Sequence, residues 1–442
     1  MDESNFAQNA PRHVISDFGL GFGQVISYSI DGTGNNVADP TLGGAGTDEV
    51  RIAPARFAAG TTDTPVEGPD PRVISNTIFA DDQDLDDPGG RSAYTYAFGQ
   101  FIDHDLDLNP NQTPAADGSN TLKIVVPAGD AFFTPGSTIN ILRGQIDPEN
   151  GNAINAVTSF LDLSQVYGSD AATAASLRNA DGTMKTQDGG LPIASDGQFM
   201  GGDVRASENP DLTSLDVLFV REHNYWVTNL HAEQPALSGD KLYDMARAIT
   251  TAEYQNIIYS EYLPSLLGRA APGPYTGYDP NVNPSIMQEF STAAFRFGHT
   301  IISPTESKIA NDGAVLQVQD LVAASGEPAS TFNNFGGADA LLRNLAQDTS
   351  QQEGVGIVSD LLNLLDANPN DIGDLGAIDI EGRQNLQGPH RRHRHAAVLH
   401  RRDEGNMLTV KWNPEDMAPA LDELKSAIRN DFPADAVQSD TR

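Results

Sequence analysis

Between Ala97 and Pro110 the chain reads AFGQFIDHDLDLNP, and Gln100, Asp103 and His104 stand at i, i+3 and i+4. In a helix those three side chains share one face about one turn apart. Ala97, Phe98, Phe101 and Ile102 give the same helix apolar surface, so the polar trio is expected to be buried and to need partners. Asp105 and Asp107 then add two hard carboxylates beside an imidazole. An exposed acidic helix end explains the aspartates but leaves His104 and Gln100 incidental. A His/Asp metal site is the other reading, although the second histidine of a helical zinc site is missing. The residues of this window leave both open.

Three further stretches carry chemistry-bearing residues at short spacing. In TSFLDLS, Thr158, Phe160, Asp162 and Ser164 alternate with other residues, so an extended loop can turn hydroxyls, a carboxylate and backbone carbonyls to one side. That oxygen-only set suits a hard cation such as calcium, and an ordinary strand with polar residues facing solvent explains it equally. In GGDVRASENPDL, Arg205 and Glu208 stand three apart, the spacing of a helical surface ion pair. In FRFGHT, Arg296 and His299 are again three apart on a predicted helix, with Gly298 permitting close approach and Phe295 and Phe297 supplying apolar surroundings. A lone histidine there defaults to a core residue, as does His223 in REHN.

The elements that must position these residues follow from pattern. Apolar residues at helical spacing run from Leu212 to Leu230 and again from Leu242 to Leu267, making the fold predominantly α-helical. From Tyr28 to about residue 90 the chain is turn-rich and poor in helical periodicity, and between Asn109 and Asp147 one strand-like run, Leu122 to Val126, stands in a loop-rich stretch. With 442 residues the chain can bury an extensive core. Its 61 acidic against 27 basic residues give a net charge of −34, which argues against nucleic acid or an anionic membrane as partner. The absence of cysteine excludes a disulfide framework and a thiolate ligand to iron. The N-terminus shows no basic segment followed by an apolar stretch, and no run reaches about 18 apolar residues, so neither a signal peptide nor a membrane span is expected.

The run FGQFIDHDLDLNP resembles the distal-histidine motif of the animal-type heme peroxidases, the superfamily of myeloperoxidase and lactoperoxidase, which has bacterial members. IDGTGNN and PRVISN resemble segments upstream of that motif, TSFLDLSQVYGS its calcium loop, REHN and EYLPSLLG its core helices, and FRFGHT its proximal heme motif. The resemblance implies a mainly α-helical peroxidase core over residues 91–380, preceded by an irregular arm over 1–90 and followed by a divergent or shortened tail over 381–442. It implies heme b as cofactor, with His299 the axial ligand and Arg296 the partner of a propionate. His104, Gln100 and Arg205 would form the peroxide pocket, His104 moving a proton between the two peroxide oxygens and Arg205 stabilising charge as their bond breaks. Asp103 and Glu208 match carboxylates that form ester bonds to heme methyl groups, while Asn209 stands where myeloperoxidase has a methionine joined to a vinyl group. Calcium would be held by Asp105, Thr158, the Phe160 carbonyl, Asp162 and Ser164.

The implied activity is reduction of hydrogen peroxide with oxidation of a halide or a small phenolic donor through a ferryl intermediate, in an extracellular setting. Fatty-acid dioxygenases of the same superfamily place a radical-forming tyrosine three residues before the proximal histidine, where this chain has Arg296. A calcium-dependent extracellular adhesion or matrix module with a decayed heme site is a third reading, from another functional class. Past LGAIDI the resemblance is no longer legible: the chain reads EGRQNLQGPHRRHRHAAVLHRR, where the family runs through an RGRDHG-like stretch to an asparagine that accepts from the proximal histidine. No such asparagine is recognisable from Glu381 onward, Asn385 having no spacing argument in its favour, and Arg391, Arg392, Arg394, Arg401 and Arg402 form a basic burst.

Overall fold

A computed structural model describes residues 29–52, 68–80, 85–275, 277–325, 327–365, 372–386, 398–401 and 408–411. The arm is less irregular than its composition suggests, because Asp70 and Pro71 provide a helix start. The Asp70 carboxylate accepts from Arg72 N and Val73 N, and α1 (Pro71–Ile74) leads into a π-helical turn, Ser75–Phe79. Earlier, Thr47–Asp48 pairs with Ile154–Asn155, tying the arm to the loop that precedes TSFLDLS.

The first motif forms α2 (Tyr94–Leu106), ten of whose residues are buried, Asp103, His104 and Asp105 among them. Phe101 stacks on Phe219 at 5.2 Å and meets Tyr254 edge-on, so aromatic packing anchors the face behind the polar trio. In the stretch expected to hold one strand there are two, β1 (Thr121–Val125) and β2 (Thr138–Leu142), paired as an antiparallel hairpin. The second strand, TINIL, is bounded by Gly136 and Arg143, and its pairing buries Ile139 beside Ile124. The short α3 (Ser164–Tyr167) follows the oxygen-rich loop.

Both expected helical tracts are present. Asn209 caps α4 (Pro210–Glu233), and Ser238 caps α5 (Gly239–Ile257), which passes through a π turn at Ile258–Tyr262 into α6 (Leu263–Leu267). FRFGHT is not α-helical: a π turn over Phe290–Ala294 gives way to a 3-10 helix over Phe295–Thr300. An antiparallel hairpin of β3 (Thr305–Ile309) and β4 (Val315–Asp320) follows, then α7 (Gly337–Gln347). Side chains from α2, α4, α5 and α7 share one hydrophobic core.

Last of the described helices, α8 (Leu375–Leu386) lies against α1 and against the Phe290–Ala294 turn. Its backbone runs past residue 381. The N-terminal stretch through Tyr28 lies outside the described residues, as do Arg391, Arg392, Arg394 and Arg402; of the basic burst only the Val398–Arg401 strand backbone is described. No helix among the described residues is long and apolar enough to cross a membrane.

Candidate functional site

The site is built where α2 meets the 3-10 turn that carries His299. Arg296, three residues before His299, brings Nη1 to 3.5 Å from Asp103 Oδ2, the carboxylate next to His104 on α2. Its Nε donates to the Ser291 carbonyl at 2.6 Å, which braces the side chain across the change from π to 3-10 geometry. The two expected heme-side histidines therefore sit on elements joined by one arginine.

On α2, His104 is buried, and its Nε2 lies 3.5 Å from Glu208 Oε2. Burial foremost, then the positive charges of Arg205 and Arg296, push the His104 ring well below its ordinary pKa, so at neutral pH it is a neutral base. Gln100 accepts at Oε1 from Asn209 Nδ2 at 2.8 Å, while Asn209 Oδ1 accepts from Leu212 N at the start of α4. Asn209 thus locks the glutamine to a helix cap, a role that its side-chain chemistry permits and a methionine's does not. Glu208 is half exposed, and its backbone N–H donates to the Arg205 carbonyl in a turn rather than along a helix.

Arg205 is clamped. Nε and Nη2 donate to the two oxygens of Asp203 at 2.8 and 2.9 Å, and Nη2 also donates to the Asp107 carbonyl at 2.7 Å. Asp203 was not singled out by sequence, its signal being a position two before an arginine in a glycine-rich turn, and Asp107, noted for its carboxylate, meets Arg205 through its backbone carbonyl. The clamp fixes a guanidinium at the C-terminal end of α2, where helix carbonyls favour a cation.

On the other side, His299 Nδ1 lies 2.9 Å from Asp379 Oδ2 on α8. With Nδ1 so bound, Nε2 is the ring nitrogen left to ligate a metal. This acceptor lies before Ile380, whereas the resemblance implied an asparagine from beyond it. Asp379 lies inside LGAIDI, the last legible stretch of the resemblance, but nothing in its spacing links it to a residue 80 positions earlier.

These residues fit a heme. The donor set offers a histidine nitrogen and no thiolate, Asp103 Oδ1 is a buried oxygen without a hydrogen-bond partner, and a Cβ on Gly298 would meet nothing within 4 Å, so space borders His299. Phe295 stacks on Phe290 at 4.8 Å and meets Phe297 edge-on, giving that border an aromatic wall.

The five expected calcium ligands also come together, on α2, the loop before α3 and the start of α3. Asp105 Oδ1 accepts from Ser164 N at 2.6 Å and from Ser164 Oγ at 3.0 Å, and Thr158 Oγ1 donates to Asp162 Oδ1 at 2.9 Å. The loop is not extended as predicted. Asp162 N donates to the Phe160 carbonyl, and Leu163 turns the chain in the left-handed region at φ 60° to start α3. Burial, then the Asp162 charge, push Asp105 well above the carboxylate range, and burial pushes Asp162 up to about 6. Asp162 Oδ2 has no hydrogen-bond partner and only a 3.8 Å approach to Arg247. Two adjoining buried carboxylates with an orphaned oxygen fit a hard cation. Among the described residues no three acidic, histidine or cysteine side chains gather as a metal cage, so hydroxyl and carbonyl oxygens would have to complete the shell.

His223 proves to be a core histidine. Its ring nitrogens lie 3.1 Å from Tyr167 Oη and 2.9 Å from the Gly182 carbonyl.

The family model described as animal haem peroxidase matches residues 27–423, reaching past Ile380. Mouse eosinophil peroxidase is 35% identical over 329 residues, 62% of this chain and 45% of that protein. The solved structure of peroxidase A from Dictyostelium discoideum superposes with a TM-score of 0.72 at 25% identity, over 92% of this chain and 84% of that one. The fatty acid alpha-dioxygenase of Arabidopsis thaliana has a TM-score of 0.69 at 19% identity over 93% of this chain and 70% of that one, a likeness of fold alone. The chain spans about half the length of the curated relatives it matches.

Proposed function

The chain belongs to the animal haem peroxidase family, and from that premise we propose that it reduces hydrogen peroxide at a heme ligated by His299 and oxidises a small electron donor, a halide or a phenol. The observation that carries this reading is the pairing of a neutral, buried His104 with an oriented His299 across the Arg296–Asp103 contact.

Heme, when bound, supplies the two-electron redox chemistry that no side chain here can perform. The protein's part is positional and electrostatic. His299 Nε2 would hold the iron, Arg296 a propionate, and Asp103 with Glu208 the ring edge through ester bonds. His104, its ring neutral, would take a proton from one peroxide oxygen and return it to the other as that oxygen leaves. Arg205, immobilised by Asp203, would offset the negative charge that develops on the leaving oxygen without reorganising. Gln100, held by Asn209, would orient the peroxide by hydrogen bonding. Calcium on Asp105, Thr158, the Phe160 carbonyl, Asp162 and Ser164 would remove the repulsion between two carboxylates and stiffen the end of α2 one residue from His104. Arg296 in place of a radical-forming tyrosine supports peroxidase over dioxygenase chemistry. An extracellular setting belongs to the same reading and rests on the resemblance.

Purified protein reconstituted with hemin should show a Soret band and peroxide-dependent oxidation of iodide or guaiacol. His299→Ala should abolish the ligated spectrum while leaving the fold intact by circular dichroism. An unchanged heme spectrum in that variant would sink the assignment.

A further inference from the structure

The acceptor for the His299 ring is a carboxylate, whereas the resemblance led one to expect an asparagine amide. Asp379 Oδ2 lies 2.9 Å from His299 Nδ1, and the aspartate is buried. Its helix is held in place from its first turn. Asp374, the residue before α8, accepts at Oδ1 from Ala377 N at 3.0 Å and from Ser75 Oγ at 2.9 Å, and at Oδ2 from Arg72 Nη1 at 2.7 Å. Asp379 is therefore presented to His299 from a pinned helix rather than from a free loop. Arg296 is the cation whose charge is felt nearby, and it is already drawn chiefly toward Asp103.

A hydrogen bond to a formal negative charge is roughly twice as strong as one to a neutral acceptor. An acceptor on the far nitrogen of a metal-bound imidazole also raises the basicity of the ligating nitrogen. On the reading that His299 ligates heme, we propose that Asp379 is a positioning residue that makes His299 a stronger electron donor than an amide partner would. The consequence is a lower Fe(III)/Fe(II) potential, so the resting iron is held ferric and poised for peroxide rather than for binding oxygen in the ferrous state.

The test uses the hemin-loaded full chain and two readouts that do not depend on turnover: the Fe(III)/Fe(II) midpoint potential and the ferrous iron–histidine stretching frequency by resonance Raman spectroscopy. Asp379→Asn keeps the shape and an acceptor oxygen but removes the charge, so the midpoint should move positive and the stretching frequency should fall. If D379N fails to retain heme, D379E, which keeps the charge, should hold both readouts at the wild-type values, and a D379E shifted toward a higher potential and lower frequency overturns the proposal. Unchanged potential and frequency in D379N, with the stretching band lost in H299A, overturn the role of Asp379 and leave ligation by His299 standing. A stretching band that survives in H299A overturns both.

Discussion

At the scale of single residues, the protonation of His104 decides whether it can act. Burial and two arginines depress its pKa, and a base with a depressed pKa takes up its proton only in more acid solution. The bimolecular rate with peroxide should therefore stay level as pH falls through about 6.5, the ordinary histidine value, and drop only below it. Stopped-flow mixing from pH 8 to 4.5 checks this, and an inflection near the ordinary value contradicts it. His104→Gln should slow the same step by about 10²–10⁴-fold. Asp103 and Glu208 make a second prediction: heme recovered after repeated peroxide turnover should resist acidic butanone extraction, and D103N/E208Q should release it. His104, Gln100 and Asp103 were legible because three residues on one helical turn carry their own geometry. Asp379 was not, because the histidine it holds is 80 positions away and an aspartate on a helix has many ordinary explanations.

At the scale of elements, the oxygen-rich loop shows how far spacing reaches. The ligand set implied by TSFLDLS does assemble, yet the extended strand imagined for it is a tight turn through Leu163, a conformation an apolar side chain gives no hint of. The same limit applies to FRFGHT, where the three-residue spacing of Arg296 and His299 suits a 3-10 helix better than an α-helix and pattern alone does not tell them apart. The loop yields a thermodynamic prediction. Without calcium, unfolded Asp162 releases its proton near ~3.9, whereas the folded chain holds it up to about 6. The folded state then binds the extra proton between those values, so raising pH across that window should cost the calcium-free protein on the order of 1–3 kcal/mol. Calcium should cancel this loss, and Asp162→Asn should lack the calcium effect and show a smaller pH-dependent loss, the buried Asp105 keeping its own share. Thermal unfolding from pH 4 to 7, with chelator and with calcium, separates the cases. Equal midpoints for chelated and calcium-loaded protein at pH 7 would count against a cation there.

At the scale of the whole molecule, the segment PRVISN is the link between the arm and the proximal side of the site. Arg72 is fully buried, pairs with Asp130 at 2.8 Å and Asp374 at 2.7 Å, and donates to the Leu362 carbonyl and Asn363 Oδ1. Its guanidinium also lies 4.4 Å from the Phe133 ring centroid. One side chain thus joins α1, the β1–β2 hairpin region and the start of α8. The sequence resemblance marked PRVISN without giving a reason for it, since Arg72 looks like a surface residue until the fold closes over it. Removing one partner of a buried ion pair leaves the others uncompensated, which costs about 3–5 kcal/mol. Arg72→Met keeps much of the side-chain volume but strands Asp374, so it should lower the thermal midpoint by the equivalent of that loss. Because Asp374 caps the helix that carries Asp379, the same variant should also lose heme faster, measured by transfer to apomyoglobin, while Arg205 and His104 on the opposite side keep their geometry. A destabilised R72M that releases heme at the wild-type rate would mean that α8 is held against His299 by its packing on the Phe290–Ala294 turn, with the arm contributing stability alone.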